Sequence, residues 1–341
     1  MTETTKKPYT KKWKSYDEQY ELLLSRGVSF DNYPIDKAKE KLAFIGYYRL
    51  SGYLYAFRET NSNTETAETR FKSGTKFKDV IELYKFDRKL RLLLLDAIER
   101  IEISLRANLT YYLTEKSVTF LDDNAQFGDL NRKFFYDKKN DKTVTVGSML
   151  DQLRSKIKDK LVKRQKDPIL AHLILTYQEP YPLWILIQFF DFSELCTLFD
   201  VIPIGIARNI SEKFGVENVR VFKSWITSIH HIRNICAHHA RLINKNLTYQ
   251  PLISGEFRWK QLWEENEPID NKKIFYAICI INHMLYSPKS SKNWNTKMIE
   301  LINSFPSIDL EPFNSVETVL GCPQKWKNLS KYMGFHKKTS Q

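Results

Sequence analysis

The sequence predicts an all-α protein, a helical bundle with helical extensions at its N- and C-terminal ends. Three observations carry this. Between Lys78 and Thr114, apolar residues recur at three- and four-residue steps: Ile81, Tyr84, Leu90, Leu94, Ile98, Ile101, Leu105 and Leu109. That stripe is the signature of an amphipathic helix laid against a core. Alternating apolar and polar runs, the mark of half-buried strands, are scarce. Glycine is sparse, 11 in 341 residues, which disfavours a fold built from many tight β-turns. The hydrophobic share, 42%, supplies a large core and excludes disorder for most of the chain.

The elements follow in order. Residues 1–14 read as a loose basic tail and 15–75 as an N-terminal helical region. Ser15 with Glu18 three residues on is a capping-box pattern, and Gly27 sits where that helix should stop. Pro34 suits the first turn of a second helix running to about Ile45. Gly46 breaks it before the aromatic stretch Tyr47–Phe57. The polar run Thr60–Thr69 reads as a flexible loop. Residues 76–250 form the central region. After the long helix, Asn124–Thr145 shows no period and reads as a long loop. Met149–Lys166 reads as a very basic helix and Tyr181–Phe199 as a buried one. Pro203 opens a shorter helix that Gly215 closes. Glu217–Asn244 reads as the second long helix. Residues 251–341 hold a loop near Pro251–Gly255, helices near Lys272–Tyr286 and Asn295–Ser304, and a basic aromatic tail.

The net charge is +13, from 53 Lys and Arg against 40 Asp and Glu. On an aromatic-rich chain this suits a polyanion such as nucleic acid, or an acidic membrane surface. Good solubility alone is the competing reading. No signal peptide is visible. The longest apolar runs, Leu183–Phe190 and Ile274–Tyr286, fall short of the roughly 20 residues a membrane helix needs. Cys196, Cys236, Cys279 and Cys322 are far apart and form no CxxC pair, which reads as reduced cysteine in a cytoplasmic protein. Walker, GxGxxG and HExxH motifs are absent, and no cofactor is implied.

One stretch carries chemistry. Of the seven histidines, His230, His231, His238 and His239 lie within ten residues. No Asp or Glu occurs between Glu217 and Glu256, while Arg220, Lys223, Arg233, Arg241 and Lys245 do. Positive potential is thus concentrated on one element and suits an anion, phosphate above all. At about 100° per residue, His231, Asn234 and His238 share one helix face, and His230, Arg233, Ala237 and Arg241 an adjacent one. Histidine can move a proton, a guanidinium can grip phosphate oxygens in pairs, and an amide can orient both. Three plainer readings stay open. The histidines can be packing residues, His230 and His239 above all. They can bind zinc, although His231 and His238 lie seven apart with no local carboxylate. Or the patch can bind without catalysing.

The run Arg233-Asn-Ile-Cys-Ala-His238-His-Ala-Arg-Leu-Ile-Asn244 resembles the signature of the Abi-like abortive-infection proteins, the AbiD/AbiF group of bacterial phage-resistance factors. The segments Phe44–Phe57, Phe77–Arg91 and Ala97–Arg106 agree in order and spacing, and Pro182-Leu-Trp184 fits the middle region. The likeness covers about residues 15–250.

The resemblance implies an α-helical protein of the HEPN superfamily, many of whose members are metal-independent endoribonucleases with an Arg-x4-6-His motif. On that pattern 76–250 is a HEPN-like core, Arg233 and His238 are the catalytic pair, and Asn234 is the polar helper. His239 also fits the spacing. A homodimer with a composite site is implied, with RNA as substrate; a regulatory RNA is a further candidate partner. Glu99 and Glu102 are then candidates to pair with Arg233 or orient a histidine such as His231. Ion pairs with Arg100 or Arg106 are their plainer role. Arg154, Lys156, Lys158, Lys160, Lys163 and Arg164, with Arg241, are candidates for the RNA backbone, against the plainer reading of a solvated face. The class alternatives are a non-catalytic RNA-binding or partner-sensing module of a toxin–antitoxin-like system, and a metal-dependent phosphohydrolase.

Overall fold

The computed structural model of the chain describes residues 12–59, 70–137, 142–254, 263, 267–286 and 292–328. The tail ahead of Lys12, the polar run Thr60–Thr69 and residues 329–341 lie outside them. The fold is all-α: thirteen α-helices and one two-stranded sheet among the described residues. The chain divides into two compact units, 1–89 with 303–319, and 90–302 with 320–341.

In the first unit, helix α1 (Tyr16–Ser25) opens on the expected capping box. Ser15 Oγ accepts from the Glu18 backbone at 3.2 Å, and the Ser15 backbone donates to Glu18 Oε2 at 2.6 Å. It ends in a Schellman turn. The amides of Gly27 and Val28 reach back to the carbonyls of Leu24 and Leu23, and Gly27 takes φ +93°, a conformation open to glycine. Helix α2 (Ile35–Ile45) follows Pro34, and Gly46 separates it from α3 (Tyr47–Leu54). The core gathers Leu23, Ala38, Leu42, Leu50, Phe57 and Phe77. Tyr53 is buried and donates to the buried Asp87 at 2.6 Å. Of the other tyrosines of this stretch, Tyr47 accepts a hydrogen bond from Arg26, while Tyr48 and Tyr55 are exposed.

Helix α4 (Phe77–Thr114) is the long element read from the apolar stripe. At 38 residues it runs about 57 Å. The division between the units falls within it, after Lys89. In the second unit its Leu90, Leu94, Ile98, Ile101, Leu105 and Leu109 are all buried.

Asn124–Thr145 is not one long loop. A short 3-10 turn leads to an antiparallel hairpin, β1 (Lys133–Asp137) with β2 (Lys142–Thr145). The strands are too short to show a period in sequence, and only their aromatic and β-branched residues hint at them. Thr145 then caps α5 (Val146–Lys163), which starts and ends three residues earlier than the sequence reading. Helix α6 (Pro168–Thr176) starts at an Asp167 cap.

The expected buried helix Tyr181–Phe199 is broken. Helix α7 (Leu183–Leu186) runs into a 3-10 turn, and α8 (Phe192–Val201) restarts. The cause is a capping box. Asp191 accepts from the Glu194 amide at 3.1 Å and Glu194 Oε2 accepts from the Asp191 amide at 2.8 Å, a pattern that starts helices. Helix α9 (Ile204–Lys213) runs from Pro203 to a turn at Gly215, as read from sequence.

Helix α10 (Val219–Ala237) packs against α8, α9 and α11 (Ile274–Tyr286). Its inner face is Phe222, Trp225, Ile226, Ile229, Ile232 and Cys236. At about 1.5–3 kcal/mol per large apolar side chain, that face holds the helix on the order of 10 kcal/mol. The expected run to Asn244 stops at Ala237, for a reason given below. Helices α12 (Lys292–Asn303) and α13 (Val316–Leu320) follow. The four cysteines are unpaired. Among the described residues, no helix is long and apolar enough to cross a membrane.

Candidate active site

The motif sits where α10 ends. His238 is the C-cap. The His239 amide bonds the Cys236 carbonyl at 3.1 Å, and the Ala240 amide the Ile235 carbonyl at 3.0 Å. This is a Schellman turn again, built with histidine where α1 has glycine. His239 stands at φ +57°, a left-handed conformation that costs a non-glycine residue about 1–2 kcal/mol. The helix is thereby cut between Ala237 and His239. The two histidines emerge from a turn, both exposed.

The turn is fixed from below. Leu242 and Ile243 are buried just beyond it. The buried Arg91 of α4 donates from Nη1 to the Ala240 carbonyl at 3.3 Å. Exposed side chains on an anchored backbone are the arrangement that keeps a reactive geometry without refolding on each encounter.

One turn back, Asn234 is the hub. Arg233 Nη1 donates to Asn234 Oδ1 at 3.4 Å, and Asn234 Nδ2 lies 3.0 Å from His230 Nε2. A guanidinium can only donate, so the amide oxygen must face it and the amide NH2 must face the ring. His230 Nε2 is then an acceptor, and the ring is neutral. Electrostatics agree: burial, then the charges of Arg233 and His231, hold His230 below its ordinary pKa against the pull of Asp191. Burial and Lys245 lower His231 likewise, and its ring meets Tyr249 edge-on, centroids 5.0 Å apart. Asn234 also takes the His238 amide on its carbonyl at 2.9 Å. One residue thus ties Arg233, His230 and His238 together.

The other residues singled out in sequence are placed as follows. Glu102 pairs with Arg106 at 3.1 Å, and Arg106 also donates to the carbonyls of Ile187 and Phe190. This clamps the break before α8. Glu99 is exposed. Arg154 donates to the Leu121 carbonyl and to Asn124 Oδ1, each at 2.8 Å. Lys160 pairs with Asp191 at 3.0 Å and with the buried Glu194. Both cations are engaged within the fold. Lys156, Lys158, Lys163 and Arg164 are exposed. Helix α8 packs against both α5 and α10. Arg241 lies past the turn, half-buried. Lys223 is 3.1 Å from Asp200, whose carboxyl burial pushes up to about 6 in spite of that cation.

Two contributors were harder to see in sequence. His230 reads equally as a packing residue, and only its four-residue spacing to Asn234 signals a partner. Arg91 reads as one more charge on the polar face of α4, and nothing in the sequence marks it. Among the described residues, no group of three or more His, Cys, Asp or Glu is placed to hold a metal ion.

The class defined by this fold and site is an all-helical protein with a half-buried Arg-Asn pair and two exposed histidines at a helix end, set in a stretch of chain without carboxylates. A family profile described as Abi-like protein matches residues 40–244. That is more than half of the chain, which belongs to the Abi-like family. Membership associates it with abortive infection, a bacterial defence against phage. No curated protein and no solved structure matches the chain.

Proposed function

We propose that the chain is a metal-independent endoribonuclease of the HEPN type, acting in abortive infection. The observation that carries this is the end of α10: two exposed histidines on a fixed turn, one helical turn from an Arg233 aligned by Asn234.

The chemistry follows from the groups present. The RNA 2′-oxygen attacks the adjacent phosphorus while a base removes its proton. The bond from phosphorus to the 5′-oxygen breaks, and an acid returns a proton to that oxygen. The products are a 2′,3′-cyclic phosphate and a 5′-hydroxyl. His238 takes one proton-transfer role. The second role falls to His239 or to the same histidine of a second copy, the homodimer implied by the resemblance. Arg233 holds the non-bridging oxygens as negative charge builds on them. Asn234, itself held by His230, aims the guanidinium.

The test uses one RNA oligonucleotide and its variant with a 2′-deoxy sugar at the cleaved nucleotide. The native oligonucleotide should be cut with or without EDTA, and the deoxy variant should not. Cleavage that survives the deoxy sugar would exclude 2′-oxygen attack, and loss on chelation would favour metal-dependent hydrolysis.

A further inference from the structure

Beside the motif, α10 forms the floor of an open groove of about 540 Å³, lined by Arg220, Lys223, Ser224 and Thr227 of the helix and by Tyr249 and Leu252 of the irregular segment that follows it. We propose that this groove is a subsite for the single-stranded RNA that flanks the cleaved bond. The assignment to RNA rests on the function proposed above, and the groove itself stands on its own geometry.

The groove is in register with the motif. Arg220, Ser224, Thr227, His231, Asn234 and His238 are three or four residues apart in succession, so they follow one face of the helix. From Arg220 to His238 that face runs about 27 Å, room for several nucleotides. The groove is also preformed. The Leu252 amide donates to Ser224 Oγ at 2.7 Å, Trp225 Nε1 donates to the Leu252 carbonyl at 2.9 Å, and Asn271 donates to the Pro251 carbonyl at 2.9 Å.

Its chemistry suits a nucleotide chain. No carboxylate lines it. Lys223 is engaged by Asp200 and lies over the Phe134 ring, but Arg220 is exposed and forms no ion pair among the described residues. A cation in the first turn of a helix opposes the helix dipole, so helix stability does not account for it. Tyr249 is 53% exposed while its ring meets His231. It offers an aromatic face for a base next to the motif, and base stacking of this kind tolerates any sequence.

The experiment uses the full chain carrying Arg220→Glu or Tyr249→Ala, with Tyr249→Phe as the variant that keeps the ring. Anisotropy of a labelled 12-nucleotide single-stranded RNA reads binding, and cleavage of the 12-mer and of a trinucleotide reads turnover. Arg220→Glu and Tyr249→Ala should each weaken 12-mer binding about 5- to 50-fold, in line with the loss of one phosphate contact or one stacked base. Tyr249→Phe, which keeps the ring, should bind like the native chain, and Arg220→Glu and Tyr249→Ala should lose more of their cleavage of the 12-mer than of the trinucleotide. Native 12-mer binding by both Arg220→Glu and Tyr249→Ala overturns the subsite, even if the protein cuts RNA. A native chain that binds the 12-mer through these residues but never cuts it keeps the subsite and sinks the ribonuclease reading.

Discussion

His239 occupies a backbone position where glycine is the relaxed choice. Replacing it with glycine should raise stability by about 1 kcal/mol in urea denaturation, and a loss would show that its side chain holds the turn. His238 is exposed at the helix cap, so His238→Ala should shift stability by no more than about 0.5 kcal/mol. Deeper in the site, His230 and His231 both have pKa values below the ordinary 6.5. The fold favours their neutral rings. Their contribution to stability is therefore complete above pH 6.5 and is lost as acidification passes down through the folded values, because the unfolded chain takes up the protons first. Asp200 works in the opposite sense. Its carboxyl, at about 6 in the fold against 3.8, favours the folded state as pH falls from about 6 towards 3.8, so whole-protein melts mix the two. Residue-resolved NMR separates them: the His230 and His231 ring resonances should titrate below 6.5, and a His230 midpoint at or above 6.5 would contradict the hub geometry. At this scale the candidate residues were legible as types and spacing. The part hidden from sequence was who holds whom, since His230 and Arg91 act through contacts that only the folded chain creates.

Helix α8 depends on a small electrostatic knot at its start. Glu194 is nearly buried, and Lys160, a quarter exposed, neutralises it. Lys160→Ala leaves that carboxylate uncompensated and should cost about 2 kcal/mol or more. Lys163→Ala, one turn on and exposed, should cost under about 0.5 kcal/mol. Equal effects in thermal or urea unfolding would remove the knot from the account. Because α8 packs on α10, the knot also steadies the platform under the motif. The long elements were legible wherever a strong local signal agreed with the apolar period, as at Ser15–Glu18, Gly27, Gly46 and Pro203. Two of the misread boundaries have different reasons. Asp191 and Glu194 carry a start signal that the apolar run around them obscures. After Ala237 no glycine or proline marks the stop, and the helix ends on a histidine in a glycine conformation.

Across the molecule, the +13 charge is less free than its sum suggests. Arg154, Lys160 and Lys223 are engaged by the chain's own groups, while Arg220, Lys156, Lys158 and Lys163 face solvent. Binding of single-stranded RNA should weaken with salt by roughly 0.7 in the logarithmic slope for each phosphate contact. Arg220→Glu should lower that slope, and a slope near zero would show that the charge serves solubility alone. The charge by itself does not specify cleavage. That rests on the Arg233–His238 arrangement, and the most direct test is to map the ends of RNA incubated with the purified chain. The native protein should yield 2′,3′-cyclic phosphate and 5′-hydroxyl ends, and His238→Ala and Arg233→Ala should yield none while still binding RNA. Undiminished cutting by His238→Ala, or binding by the native chain with no cutting at all, would contradict the account.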